Sequence, residues 1–168
     1  MRYIPRAGAD PSFMIKAMRE ASGEMHELMW GMRLGSLLRP GQPPDEDWSL
    51  MGICYHLNAV EGVIGEQLER MITMREPRIP HADLDAIPFP GEYDDCDEEE
   101  LLEEFHHKRS RNSYLLWDLS MEDWDRGGLH PYRGRRTVRE TVRELYQHDL
   151  EHLWQARRMV EALGGRGW

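Results

Sequence analysis

Four long stretches of helical hydrophobic periodicity limit the folds open to this chain of 168 residues. In each stretch, apolar residues recur three and four positions apart, which is the spacing along one face of an α-helix. No segment has a sequence pattern typical of a β-strand. The pattern predicts an all-α, four-helix bundle. The predicted helices run approximately over Pro11–Leu38, Trp48–Arg75, Asp97–Leu119 and Thr137–Leu163.

Local signals support the helix ends. Ser49 is a suitable N-cap, Asp97 opens an acidic first turn, and Thr137 with Glu140 forms a capping box. Gly164-Gly165 is predicted to end the last helix.

The connections are of unequal length. Arg39–Asp47 contains three prolines, and Ser120–Arg136 joins the last two helices. The long connection Glu76–Asp97 predicts a crossover between helices 2 and 3. Its apolar residues are expected to pack on the bundle; they are Ile79, Leu84, Ile87, Phe89 and Tyr93.

Composition excludes several classes of protein. A net charge of −10 opposes binding to nucleic acid, and no stretch approaches the length and apolarity of a membrane span. Two cysteines argue against a disulfide framework and fit a reducing compartment. The N-terminal sequence MRYIPRAGADPSF lacks the apolar core of a signal peptide. We therefore expect a single cytoplasmic domain over residues 1–168.

Three histidines suggest a metal site. His148 and His152 are four positions apart on the last helix, so both imidazoles point the same way, one turn apart. His56 lies at the margin of the apolar face of the second helix. Three neutral imidazoles would leave coordination positions open for water or substrate, as in catalytic sites. The remaining histidines are expected to have surface or packing roles, and Cys54 is not counted as a ligand.

Two acidic residues are candidate catalytic groups. Asp149 lies within the apolar face of the last helix. It would either orient a ligand imidazole or form a salt bridge with a neighbouring helix. Glu61 would be a general base, a fourth ligand, a group behind the ligands, or simply a charge at the helix boundary.

Arginines and tryptophans allow two further hypotheses. Five arginines surround the start of the last helix and would either attract an anionic substrate or form a solvated patch balanced by Glu140 and Glu144; they are Arg133, Arg135, Arg136, Arg139 and Arg143. Trp154 faces away from the histidines and is a candidate for a dimer interface.

The combined motifs resemble the DinB-like, or YfiT-like, superfamily of metal-binding four-helix bundles. The residues that carry the resemblance are Trp48-Ser49, His56-Leu57 with Glu61, the segment Gly134–Glu140, and His148–Gln155. The resemblance implies an up-up-down-down-like bundle, a homodimer, and a divalent ion bound by His56, His148 and His152. Zinc or nickel is expected first, with iron or manganese as alternatives, and a low-molecular-weight thiol as a possible second cofactor.

Three functions follow as hypotheses. The first is a thiol-dependent S-transferase of the bacillithiol or mycothiol type acting on a small-molecule electrophile. The second is a metal-dependent hydrolase in which Glu61 or Asp149 serves as the base. The third is a non-catalytic bundle, braced by its ion or acting in a stress response.

Overall fold

Four long helices form the body of the protein, which a computed structural model describes over residues 10–164. The elements are α1 (Pro11–Met29), α2 (Leu34–Leu37), α3 (Leu50–Thr73), α4 (Glu98–Trp117), β1 (Gly127–His130), β2 (Gly134–Thr137) and α5 (Val138–Ala162). The predicted all-α class and four-helix bundle are confirmed. The expectations about the N-terminal leader and about Gly165 concern residues outside the described range.

The first helix is shorter than the sequence predicted. It ends at Met29 and not at Leu38, and the chain resumes in the one-turn helix α2. Gly31 has a φ of +75°, a left-handed conformation that a helix cannot continue through and that glycine adopts without strain. The other predicted helix ends agree to within a few residues, and Ser49 and Thr137 cap α3 and α5 as expected.

A two-stranded hairpin was missed by the sequence analysis. β1 and β2 pair antiparallel within the connection that leads to α5, with Gly127 opposite Thr137 and His130 opposite Gly134. Each strand has four residues, and neither GGLH nor GRRT shows the β-branched, alternating pattern by which strands are recognised.

Helices α3 and α4 are neighbours that run in the same direction. Asn58 contacts Glu104, and further along both helices Glu69 contacts Arg111. A chain that joins two parallel neighbouring helices must return along the length of the bundle. Residues 74–97 make this return between α3 and α4.

Helices α1 and α5 are also parallel to one another. Phe13 contacts Tyr146 near the start of both segments, and Glu24 contacts Arg157 further along. The four long helices form a ring of order α1–α4–α3–α5. In this ring α1 packs against α4 and α5, and α3 packs against the same two helices. Since α1 runs opposite to α4, the directions are up-down-down-up. The up-up-down-down arrangement implied by the resemblance is therefore wrong, because the crossover joins the two parallel helices α3 and α4.

The crossover packs on the bundle along only part of its length. Ile79 and Tyr93 are buried and Leu84 is half-buried, whereas Ile87 and Phe89 are exposed. Near its start the segment adds to the hairpin, since the Ile79 amide donates to the Leu129 carbonyl. In the part of the chain that the structure describes, every helix is too short or too polar to cross a membrane.

Candidate metal site

Three imidazoles meet in the interior between α3 and α5. His56 from α3 and His148 and His152 from α5 each present one nitrogen, and these three atoms all lie within 4.8 Å of one another. The Nε2 atoms of His56 and His148 are 2.8 Å apart. All three side chains are buried. The structure thus brings together the three residues that the sequence singled out as metal ligands.

Neighbouring groups orient two of the rings. His152 donates its Nδ1 proton to Oε1 of Gln155 over 2.9 Å, because an amide oxygen can only accept. The lone pair of His152 is therefore on Nε2. The indole ring of Trp48 packs against both His56 and His152, with ring centroids 5.4 and 4.9 Å away.

His148 has a different environment on each side of its ring. Nε2 lies 3.1 Å from the Leu84 carbonyl, to which it donates when it carries the proton. Nδ1 lies 3.9 Å from Oδ1 of Asp149. For Nε2 to bind an ion its proton must be absent, and the ring proton then belongs on Nδ1, facing Asp149. A buried carboxylate in this position favours that tautomer.

Burial keeps the imidazoles of His56 and His152 uncharged. Removal from water, and then the neighbouring His148 and His152, lower the pKa of His56 to about 3. Burial and then His148 lower the pKa of His152 to about 4. Neutral imidazoles at physiological pH retain the lone pairs that a metal ion requires.

A buried arginine lies directly behind the histidines. Arg109 of α4 contacts Asp149 and Glu61, each over 2.7 Å, and the three side chains are at most 1% exposed. Asp149 therefore forms the predicted inter-helix salt bridge and also approaches His148. Glu61 is fully buried, and its other oxygen accepts from Asn112. Burial alone would raise the pKa of Asp149, but Arg109 and His148 outweigh it and hold the pKa below its usual value.

The sequence profile of the DinB superfamily matches residues 18–156. The chain belongs to the DinB superfamily. Among curated protein sequences none matches this DinB-superfamily chain.

One solved structure shares the fold closely. YfiT from Bacillus subtilis superposes with a TM-score of 0.78 at 16% sequence identity, and the match covers 92% of this chain and 88% of YfiT. YfiT is described as "a probable metal-dependent hydrolase with an unusual four-helix bundle topology". At this level of sequence identity, the structural similarity to YfiT is evidence for a shared fold.

Arg109, Gln155 and Leu84 are site residues that the sequence analysis missed. Arg109 is a charged residue four positions after Phe105 on the apolar face of its helix, a signal that predicts a buried charge and its partners. Gln155 lies three positions after His152, on the same helix face. Leu84 contributes a backbone carbonyl, for which a sequence carries no signal.

The other candidate residues lie outside this site. His106 and His107 are exposed on α4. Cys54 is buried in the core, where burial and then Cys96 raise the pKa of its thiol to about 12. Trp154 is exposed on α5, and its place in a homodimer interface stays a prediction.

The lowered histidine pKa values predict a pH-dependent stability of the metal-free protein. Unfolded histidine binds a proton near pH 6.5, whereas folded His56 and His152 bind one only near pH 3 and 4. Between these limits the unfolded state binds more protons, so the free energy of unfolding should fall as pH falls from 6.5 towards 4. Urea unfolding across this range measures the slope. The double variant His56→Gln/His152→Gln should give a flatter profile; an equally steep one would contradict the assignment.

Removal of Arg109 should destabilise the whole bundle. Arg109→Met leaves the buried carboxylates of Glu61 and Asp149 unpaired, which is expected to cost about 3–5 kcal/mol of unfolding free energy. The matched control is Arg111→Met, since Arg111 pairs with Glu69 at the surface and should cost at most about 1 kcal/mol. Equal losses in urea unfolding would show that the buried pairs are not a main support of the fold.

Proposed function

We propose that this protein is a divalent-metal-dependent enzyme whose ion is held by His56, His148 and His152. The observation that carries the proposal is the convergence of three buried imidazoles within 4.8 Å. Within residues 10–164 this group includes no fourth histidine, cysteine or carboxylate. A three-histidine set leaves coordination positions for water or substrate, which is typical of catalytic sites.

The chemistry of the surrounding residues fits an ion. The facing Nε2 atoms of His56 and His148 each offer a lone pair to one point when neither carries a proton. Gln155 already directs the lone pair of His152 to Nε2. Nδ1 of His148 and Oδ1 of Asp149 both lack a hydrogen-bond partner within the described residues, and a proton on Nδ1 would face this carboxylate oxygen, which lies 3.9 Å away. We assign Asp149 as a positioning residue for His148.

We assign Glu61 a supporting role through Arg109. One of its oxygens faces Arg109 and the other accepts from Asn112, so both are engaged. Of the two predicted bases, Asp149 is the one that approaches a histidine, with Oδ1 3.9 Å from Nδ1 of His148.

Zinc and nickel are the first candidates for the ion. Imidazole nitrogen suits both metals, and iron and manganese remain alternatives that elemental analysis distinguishes. A bound ion of this kind lowers the pKa of a coordinated water or thiol and so supplies a nucleophile at neutral pH.

Hydrolysis of a small molecule is the reaction class that we propose first. The three histidines are buried, and the crossover covers His148 through the Leu84 carbonyl, which suits a small substrate. The description of YfiT as a metal-dependent hydrolase supports this class. The alternative is a thiol-dependent S-transferase, in which a low-molecular-weight thiol takes the place of water.

The metal content of tag-free protein tests the site. We expect about one ion per chain by elemental mass spectrometry, lost in His148→Ala and in His152→Ala because each removes a ligand. His107→Ala is the matched control, since His107 is exposed on α4. Asp149→Asn should retain the ion but bind it about 10–100-fold more weakly. A wild type that holds no ion after reconstitution would overturn the proposal.

Turnover with and without thiol separates the two reactions. Metal-loaded protein is assayed on a panel of activated esters and amides without thiol, and on electrophiles with bacillithiol, mycothiol or glutathione. Hydrolase function predicts turnover in the first set, abolished by His148→Ala and by chelation. Turnover only with thiol would favour the transferase. Metal-loaded protein that lacks turnover in both sets, but melts at a lower temperature when the ion is removed, would indicate a structural ion.

A further inference from the structure

Two arginines share one carboxylate close to the histidines. Arg133 Nη1 lies 2.7 Å from Oε1 of Glu144, and Arg136 Nη2 lies 2.8 Å from Oε2 of the same residue. Each guanidinium has five N–H donors, and a single contact with Glu144 uses few of them. Two guanidinium groups therefore contact the single carboxylate of Glu144, on a protein whose net charge is −10.

The arginine pair lies next to the candidate metal site. Glu144 and His148 are four residues apart on α5, so they share a helix face and are separated by one turn, about 6 Å. A small cavity adjoins the pair and is lined by Gln67 of α3 and by Leu84 of the crossover. Leu84 also contacts His148 through its carbonyl, so this residue borders both the cavity and the histidines.

The five-arginine cluster that the sequence indicated is divided in the structure. Arg133 and Arg136 line the cavity. Arg139 instead pairs with Asp125, and Arg135 donates to the Asp125 carbonyl, both near the 3₁₀ turn that precedes the hairpin. The pairing with Glu144 in the alternative hypothesis is thus formed by Arg133 and Arg136, the same two arginines that line the cavity.

The carboxylate of Glu144 shows which ligand this pair accepts. A guanidinium fork matches a carboxylate in shape and charge, and two forks converging on one carboxylate form a site for that group. Arg136 is one-fifth exposed, Glu144 one-third and Arg133 about one-half, so the Arg136–Glu144 contact is partly shielded from water and stronger than a fully exposed one. Glu144 belongs to the chain and acts as an internal competitor for any incoming anion.

We propose that Arg133 and Arg136 bind a carboxylate of the substrate, which is anchored there while its reactive group reaches the histidines. The inference rests on the proposed function and narrows the substrate class to small carboxylic acids whose reactive bond lies roughly one helical turn from the carboxylate. Glu144 gives way to the substrate, either by sharing the two guanidinium groups or by turning towards solvent.

The test uses metal chelators that differ only in charge. Protein loaded with Co²⁺ is titrated with monohydroxamates of dicarboxylic acids of increasing length and with uncharged alkyl hydroxamates of the same lengths, and binding is followed by the Co²⁺ absorption spectrum. At the best length, the carboxylate compound should bind at least about tenfold more tightly than its neutral counterpart, the effect of one charge-assisted contact.

Variants assign this preference to residues. The double variant Arg133→Gln/Arg136→Gln should reduce the ratio of carboxylate-hydroxamate affinity to neutral-hydroxamate affinity to near one. The matched control Arg139→Gln should retain the wild-type ratio. Glu144→Gln should raise carboxylate affinity several-fold, because the competitor loses its charge; a purely structural role for Glu144 would not produce a gain. A ratio near one in the wild type, or a ratio unaltered in the double variant, would overturn the proposal.

Metal-free protein separates failure of this inference from failure of the metal site. Succinate and inorganic phosphate are titrated into the metal-free wild type and into the Glu144→Gln variant, with the arginine Nε–H signals followed by NMR. If Co²⁺ does not bind but succinate shifts these signals, the metal proposal fails and the carboxylate site stands. Shifts with phosphate and none with succinate would contradict the assignment to a carboxylate.

Discussion

The buried guanidinium of Arg109 is the constraint on which the rest of the structure depends. From α4 it contacts the Met18 carbonyl of α1, Glu61 of α3 and Asp149 of α5, so a single side chain joins all four long helices. A charge this deeply buried is tolerated only when its partners are all in place. Each helix is therefore held at one axial position relative to the others.

That alignment also builds the histidine site. Glu61 lies five residues after His56 on α3, and Asp149 follows His148 directly on α5. Because Arg109 fixes the positions of both carboxylates, it also fixes the axial positions of α3 and α5, which carry the histidines, relative to each other. The result is three imidazoles in a water-poor interior, where burial keeps those of His56 and His152 neutral and available to a cation.

The direction of the helices explains the covering of the site. Parallel α3 and α4 require a connection that returns along the bundle, and this return places Leu84 over His148 and beside the arginine pair. The hairpin before α5 adds Arg133 and Arg136 to the same side. The histidine group and the proposed carboxylate site are thus one turn of α5 apart, an arrangement suited to a small acidic substrate.

The sequence by itself determined the helices, the bundle and the three histidines, because hydrophobic period and i, i+4 spacing are local properties of the chain. It left open whether Asp149 orients a ligand or forms a salt bridge, and it missed Arg109, Gln155 and the hairpin. Only the tertiary structure decided these points, together with the up-down-down-up direction of the helices. Apart from the Gln155 contact, which is local to α5, these points depend on which helices are neighbours and on the groups that a distant segment brings to the site, as the crossover brings the Leu84 carbonyl.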